Sequence, residues 1–190
     1  MLTYVEYAGV LFGLVYVVLA ARNLVWCWPA GIASSVIYVY LNFHWQLYFD
    51  ASLQFFYIVA GFYGWALWYK NSNIQASSIT TQNLFEQLKW FAAGLLSSIL
   101  LGFIAFSYLH QHITYFDATV TVFSLIATYF TAKKYLHSWV WWIVIDITAS
   151  AMYIYKQANA TAFLYLMYGI VAVYGFLSWK KLIQLGTTNE

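Results

Sequence analysis

Residues 160–179 read ATAFLYLMYGIVAVYGFLSW, twenty consecutive positions without a charged side chain. An α-helix needs about 20 predominantly apolar residues to cross a bilayer, so this stretch predicts a transmembrane helix. The strand of a membrane barrel would be about 10 residues long and would alternate apolar and polar side chains. The whole chain shares this character, with 64% hydrophobic residues, 7% charged residues and a mean hydropathy of +0.69. These values predict an all-α integral membrane protein and exclude a soluble domain.

The apolar runs predict seven transmembrane helices in all. They cover residues 2–21, 24–43, 51–69, 90–109, 118–132, 139–155 and 160–179. The single cysteine, Cys27, excludes an internal disulfide, and we expect it to be a small packing residue. The first run has no basic segment before it and no small-residue cleavage site, so it is expected to be part of the mature bundle.

The basic residues fall almost entirely on one side of the predicted bundle. Those on that side are Arg22, Lys70, Lys89, Lys133, Lys134, Lys180 and Lys181, and the other side has only Lys156. Because basic residues in short loops stay in the cytoplasm, this distribution predicts an external N-terminus and a cytoplasmic C-terminus. The net charge of +2 follows from this topology, and we expect no nucleic-acid partner.

Aromatic and glycine landmarks recur at an offset of 114 residues. The pairs are Trp28 with Trp142, Gly61 with Gly175, Phe62 with Phe176, and Trp65 with Trp179. They predict a single membrane transport domain, residues 1–190, made of repeat one (1–70), a linking helix (89–110) and repeat two (114–184). A single linking helix between two three-helix units lets both units enter the membrane in the same direction. This 3+1+3 arrangement therefore gives parallel repeats. Transporters of that design bind substrate near the membrane midplane.

Spaced motifs in both halves resemble the Pnu vitamin transporters. In the first half they are Trp28-Pro29-x-Gly31-Ile32, Gln46-Leu47-Tyr48 and Tyr63-Gly64-Trp65-x-x-Trp68. In the second half they are Ser124-Leu125-Ile126-Ala127, Lys133-Lys134-Tyr135 and Trp139-x-x-Trp142-Ile143. The resemblance implies a fold related to the SWEET sugar carriers, a bacterial inner membrane location, and facilitated diffusion of a vitamin that a kinase then traps by phosphorylation.

Departures from the PnuC-type pattern bear on the expected substrate. PnuC-like nicotinamide riboside carriers commonly have an Asn midway along the second and sixth helices, where this chain has Ala33, Ser34 and Ser35 and then Asp146. A carboxyl group suits a cation or an aminopyrimidine. This pattern resembles the PnuT-like thiamine branch. We therefore expect uniport of a cationic heteroaromatic B vitamin, thiamine first and nicotinamide riboside as the alternative.

Asp146 is the central candidate for substrate binding. An ionisable residue at mid-membrane costs about 2.5 to 3.5 kcal/mol on insertion scales, which makes it a functional-site hypothesis. The alternative is a protonated Asp that hydrogen-bonds to a neighbouring helix. Helical spacing puts Trp142, Ser150 and Tyr153 on the same face. The other candidates for the substrate-binding lining are Gln54, Tyr57, Ser35, Tyr38, Tyr165 and Tyr168.

Helix five has a polar stripe of Asp117, Thr121, Ser124, Thr128 and Thr131 at alternating steps of four and three. In a membrane such a stripe faces protein or water, so it either lines the permeation path or packs against a neighbouring helix.

The remaining expectations concern other functions and partners. We expect no metal site, because His110 and His112 have no adjacent cysteine or carboxylate. We expect no catalytic residue or cofactor, because the sequence has no Gly-rich phosphate loop, nucleophile elbow or pair of nearby carboxylates. An intramembrane enzyme and a non-transporting scaffold or receptor are the remaining alternatives. The expected partners are the vitamin and the lipid bilayer, and the aromatic surface is compatible with a homo-oligomer such as a trimer.

Overall fold

The computed structural model describes residues 2–45, 48–70, 79–109, 114–155, 157 and 159–187, which form an all-α bundle. Gln46, His110, His112 and Lys156, which entered the sequence analysis, lie outside these ranges. The helices are α1 (Leu2–Ala21), α2 (Cys27–His44), α3 (Tyr48–Lys70), α4 (Leu84–Leu109), α5 (Thr114–Ala132), α6 (Ser138–Tyr155) and α7 (Asn159–Thr187). The predicted seven helices are confirmed.

Several helix boundaries differ from the predicted ones, and two of the differences have a local reason. The second helix begins at Cys27 instead of residue 24, because Asn23 adopts a left-handed backbone with φ 56° in a tight turn after α1. The fourth begins six residues earlier than predicted, because the Asn83 side chain accepts a 2.8 Å hydrogen bond from the Glu86 N–H and caps it. The seventh continues to Thr187, past Lys180 and Lys181.

Six of the helices form a closed ring. Each of α1, α2 and α3 packs against the next, α3 packs against α5, the order continues through α6 to α7, and α7 packs against α1. Among the described helices, α4 packs only against α5 and therefore stands outside the ring. The α3–α5 and α7–α1 contacts are equivalent if α1–α3 and α5–α7 are copies, so the ring has the symmetry that parallel repeats predict.

The structure corrects the register of the repeat from 114 to 111 residues. Asn23 and Lys134 share φ 56°, and α2 and α6 begin at the equivalent Cys27 and Ser138. Backbone hydrogen bonds recur at the same offset: Leu24 N–H donates to Leu19 O, and Tyr135 N–H donates to Phe130 O. The matches used in the sequence analysis were therefore displaced by three residues, close to one helical turn.

Four buried tryptophans, Trp28, Trp68, Trp139 and Trp179, close one end of the ring. We call them the tryptophan layer. Trp28 and Trp68 meet edge to face at 5.6 Å and 88°, and the equivalent Trp139 and Trp179 meet at 5.5 Å and 87°. Trp68 and Trp179 also contact each other at 6.0 Å, which links the two repeats. We call this end of the ring, where Arg22, Lys133 and Lys134 lie, the basic end.

Two glycines make the tryptophan layer possible. A Cβ on Gly64 would lie 2.4 Å from the Trp28 ring, and a Cβ on Gly175 would lie 2.6 Å from the Trp139 ring. The indole N–H of Trp68 donates to Ala132 O at 3.0 Å, and that of Trp179 donates to Ala20 O at 3.1 Å. Each of these hydrogen bonds joins one repeat to the other.

By length and composition alone, α1, α4 and α7 each contain a stretch apolar enough to cross a membrane. The other four helices have lower hydropathy because they carry inward polar residues such as Ser35, Ser124 and Asp146, which are buried. Inside a helical bundle such residues face protein, where neighbouring helices supply partners.

Candidate functional site

Asp146 lies near the middle of the ring. It is the ninth of the 18 residues of α6, about 12 Å along the helix axis from Ser138 at 1.5 Å per residue. The residue is 4% exposed. Gly169 of α7 faces it, since a Cβ there would lie 3.6 Å from the Asp146 Cβ, an ordinary van der Waals contact. Within the described part of the chain, no side chain hydrogen-bonds to its carboxyl group. The alternative from the sequence analysis, a protonated Asp that hydrogen-bonds to a neighbouring helix, stays a prediction.

Two tyrosines of α7 lie near this carboxyl group and contact further tyrosines. Tyr165 stacks on Tyr153 at 5.3 Å and 13°, and it meets Tyr168 edge to face at 6.1 Å. Both Tyr165 and Tyr168 lie within electrostatic range of Asp146, and Tyr57 of α3 lies within range of Tyr165. We call Tyr57, Tyr153, Tyr165 and Tyr168 the tyrosine cluster. All four are half-buried and join α3 of the first repeat to α6 and α7 of the second.

The remaining candidates of the first repeat lie around this cluster to different degrees. Tyr38 is within electrostatic range of Tyr168, and its ring packs beside Gly9 of α1. Ser35 is buried on α2, next to Ser34, whose hydroxyl donates a 2.9 Å hydrogen bond to Gly9 O. Gln54 is half-buried one turn before Tyr57. The structure therefore relates Tyr38 to Asp146 through Tyr168 and Tyr57 to Asp146 through Tyr165. Among the described residues, no contact joins Gln54 to them.

Trp142 and Ser150 make hydrogen bonds that hold the helices together. The Trp142 indole N–H donates to Thr131 Oγ1 of α5 at 3.1 Å. The Ser150 hydroxyl donates to Ala162 O of α7 at 2.9 Å. Because their polar atoms already have partners, these two residues are weaker candidates for substrate contact than the tyrosines.

The polar stripe of α5 divides in the same way. Thr128 and Thr131 are buried, and their hydroxyls donate to Ser124 O at 2.8 Å and to Ala127 O at 2.9 Å. These hydrogen bonds favour helix packing for that part of the stripe. Ser124 differs, because its side chain lies within hydrogen-bonding reach of the Tyr57 hydroxyl in the other repeat.

Sequence analysis missed the relation between the two halves of the site. At the 111-residue offset Ser35 is equivalent to Asp146, Gln54 to Tyr165 and Tyr57 to Tyr168. The signal was present in Gly64-Trp65-x-x-Trp68 and Gly175-Phe176-x-x-Trp179, which share Gly-aromatic-x-x-Trp. Tyr16 was also missed. Its ring lies over Gly31 and 6.0 Å from Trp28, between the Asp146 level and the tryptophan layer.

This arrangement suits binding more than covalent chemistry. One carboxyl group and several tyrosine rings with hydroxyls can hold a flat, cationic heteroaromatic by charge, stacking and hydrogen bonds. Among the described residues, no group of three His, Cys, Asp or Glu side chains could hold a metal ion. A separate apolar groove of about 390 Å³ lies between α4, α5 and α6. It contains none of the predicted site residues.

Comparisons with known proteins agree with this fold. The chain is 21% identical to the nicotinamide riboside transporter PnuC of Escherichia coli, over 94% of this chain and 85% of that one. It is 23% identical to PnuC of Neisseria mucosa, over 90% and 70% of the two chains, and 21% identical to the riboflavin/roseoflavin transporter RibM of Streptomyces davaonensis, over 92% and 83%.

A solved structure and a family model extend the comparison. The crystal structure of the vitamin B3 transporter PnuC matches with a TM-score of 0.76 at 21% identity, over 96% of this chain and 83% of that one. This match confirms the fold. The model of the family described as nicotinamide mononucleotide transporter matches residues 3–181, nearly the whole chain. The protein is therefore a multi-pass membrane protein that belongs to the Pnu family of vitamin transporters.

Proposed function

We propose that the protein is a uniporter that carries nicotinamide riboside across the bacterial inner membrane by facilitated diffusion. The observation that carries the proposal is the position of Asp146 within the tyrosine cluster, midway along the ring. The pyridinium ring of nicotinamide riboside is flat and positively charged, so it can pair with the carboxylate and stack on tyrosine. Its ribose and carboxamide offer hydrogen bonds to tyrosine hydroxyls.

The expectation of thiamine as first substrate is not supported by the comparisons. That expectation rested on the missing Asn residues and on the charge of Asp146. Because nicotinamide riboside is also cationic, charge does not distinguish it from thiamine. The relatives found are carriers of nicotinamide riboside or of riboflavin. Those names favour nicotinamide riboside here. Polar groups of the tyrosine cluster would then take the place of the missing Asn side chains.

The first test is substrate counterflow with purified protein in liposomes. Vesicles loaded with unlabelled nicotinamide riboside should accumulate the labelled compound transiently, while protein-free vesicles should not. Unlabelled thiamine and riboflavin are then added outside at equal concentrations as competitors. We expect nicotinamide riboside to compete best. Stronger competition by thiamine would restore the first expectation, and stronger competition by riboflavin would point to a RibM-like substrate.

The second test replaces the carboxyl group. Asp146→Asn should weaken nicotinamide riboside binding by about 1.5 to 3 kcal/mol, or roughly 10- to 150-fold, because a charged interaction is lost. The matched control is Thr148→Val on the same helix, since Thr148 lines the outer groove and bonds only to Val144 O. Calorimetric titration of both variants measures the difference. Equal affinity in the Asn variant and the wild type would remove Asp146 from the site.

Uniport leads to two further expectations that can be measured. Counterflow should not change when a pH or sodium gradient is imposed, because the described residues offer one mid-membrane carboxyl group and no second ion site. Nicotinamide riboside recovered from the vesicles should be chemically unchanged, as expected of a carrier and not of an enzyme. Dependence on a proton gradient would indicate coupling through Asp146.

A further inference from the structure

The segment before α4 returns to the basic end of the ring. We call residues 79–82 the strap. Ile79 is 5% exposed and packs in the same buried cluster as the tryptophan layer. Thr80 forms a parallel bridge with Tyr135: its N–H donates to Lys134 O at 3.1 Å, and its carbonyl accepts from the Leu136 N–H at 2.9 Å. The strap is thus fastened to the turn between α5 and α6.

A side chain adds a third attachment. The Gln82 N–H donates to His137 Nδ1 at 3.4 Å. Desolvation lowers the pKa of His137 below its usual value, which keeps the imidazole neutral and Nδ1 free to accept. All three attachments are to the turn between α5 and α6, at Lys134, Leu136 and His137.

The strap breaks the symmetry of the repeats. The turn at residues 133–137 is equivalent to the turn at residues 22–26, and both have the same backbone hydrogen bonds. In the described structure only the second of these turns pairs with another segment. Leu24 is 43% exposed and Trp26 is 67% exposed, whereas their equivalents under the strap, Tyr135 and His137, are half-buried. A contact that packing alone required would be expected on both copies.

Buried polar atoms without hydrogen bonds collect at the same place. Within the described part of the chain they are Asn23 Oδ1, Trp28 Nε1, Gln82 Oε1, Ser138 Oγ and Trp139 Nε1. Four of them belong to the tryptophan layer, the strap or the first of the two turns, and Ser138 is the first residue of α6. A buried polar group without a partner costs free energy that hydration would recover. Opening of the basic end would give these atoms access to water.

We propose that the strap is a latch that keeps the basic end of the carrier closed. Release withdraws Ile79 from the tryptophan layer and unpairs Thr80 from Tyr135, which opens a path from the Asp146 level to the basic side and hydrates the unpartnered indole N–H groups. Only one repeat needs to move its turn for this opening. The biological role of the latch rests on the proposed carrier function. The opening motion itself can be measured without any substrate.

The chain contains its own reporter of this motion. Cys27 is the single cysteine, is fully buried, and packs in the same cluster as Ile79. In purified protein, Ile79→Ala and Thr80→Pro should each raise the rate at which a soluble maleimide labels Cys27 by about tenfold or more, because labelling follows the population of the open state. Rates equal to the wild type in both variants would overturn the latch.

Matched controls separate opening from general damage. Ile99→Ala removes the same atoms from an isoleucine on α4 that is 53% exposed. Thr81→Pro changes an exposed strap residue next to Thr80, for which the structure shows no backbone hydrogen bond. Both controls should label at the wild-type rate. If they label as fast as Ile79→Ala and Thr80→Pro, the effect is loss of folding and the latch is rejected.

A cross-link tests the link to transport. The double variant Thr80→Cys/Tyr135→Cys is made in a Cys27→Ala background. A reducible bis-methanethiosulfonate reagent then joins the two introduced thiols. The cross-link should abolish nicotinamide riboside counterflow and leave calorimetric binding intact, and reduction should restore counterflow. Undiminished counterflow in the cross-linked protein would show that the strap need not move. The labelling rates decide the latch whether or not nicotinamide riboside is the substrate.

Discussion

The two repeats are most alike at the basic end and least alike at the Asp146 level. At the basic end each repeat supplies the same tryptophan pair at nearly the same distance, 5.6 Å and 5.5 Å, over an equivalent glycine. At the Asp146 level the equivalents are Ser35 for Asp146 and Gln54 for Tyr165. Symmetry is kept where the repeats close the ring against each other. It is absent where a ligand without two-fold symmetry would bind.

Exchanging the two mid-level residues should have the largest effect. The double variant Ser35→Asp/Asp146→Ser keeps the carboxyl group at the same depth but moves it to the other repeat. We expect nicotinamide riboside binding to remain about 1.5 to 3 kcal/mol weaker than wild type, because the stacked Tyr153 and Tyr165 have no aromatic counterparts beside Ser35. Titration calorimetry measures this. Recovery of wild-type affinity would mean that the site is symmetric after all.

Replacing Gly64 and Gly175, the two glycines that pack against the tryptophan layer, tests the symmetric region. Gly64→Ala and Gly175→Ala should each destabilise the protein by about 1 to 3 kcal/mol, because the new Cβ overlaps a tryptophan ring that is fully buried. Thermal unfolding in detergent should give similar decreases for the two. Gly169→Ala is the control, since its Cβ would find ordinary contact at 3.6 Å. Clearly unequal losses at residues 64 and 175 would argue against an equivalent role in the two repeats.

Removing the hydrogen bonds between the repeats should have a smaller and equal effect. Trp68→Phe and Trp179→Phe each lose one indole N–H bond across the repeat boundary, worth about 0.5 to 1.5 kcal/mol besides the lost packing. Trp26→Phe serves as control because Trp26 is 67% exposed. Unfolding curves of the three variants, recorded side by side, would show whether the two crossing bonds contribute equally.

The smallest effect is expected in the polar stripe of α5. Thr128→Val removes a hydroxyl that bonds only to its own helix, so nicotinamide riboside affinity should change less than about twofold. A tenfold loss would place Thr128 on the permeation path. Ser124→Ala is the comparison variant. We expect it to weaken nicotinamide riboside binding more than Thr128→Val does, because the Ser124 side chain lies within hydrogen-bonding reach of the Tyr57 hydroxyl in the other repeat.

Sequence reasoning predicted the number and order of the helices because hydropathy reports them directly. It placed the start of the fourth helix six residues late, because Glu86 and Lys89 lower the hydropathy of a first turn that Asn83 caps; they form a 2.9 Å ion pair. The repeat was recognised but displaced by three residues. In a chain with ten tryptophans, matching one aromatic to another at helical spacing leaves more than one register open.

For the candidate site, sequence reasoning identified the types of residue better than the contacts that each residue makes. Asp146 and the tyrosines of α7 were identified because ionisable and amphipathic side chains at mid-membrane are unusual. Trp142 and Ser150 were included because they share a helical face with Asp146, but a shared face does not reveal that each side chain hydrogen-bonds to a neighbouring helix. The strap was not foreseen, since four residues between a polar stretch and a helix have no periodicity that could indicate a contact with a distant turn.

The order of apolar and polar helices bears on how the chain enters the membrane during synthesis. The three helices apolar enough to cross by composition are the first, fourth and seventh. Each of the other four is adjacent in sequence to one of these. These four less apolar helices, which a translocon accepts less readily, can therefore each be inserted as a hairpin with a strongly apolar neighbour. For α6, which carries Asp146, that neighbour is α7, synthesised directly after it.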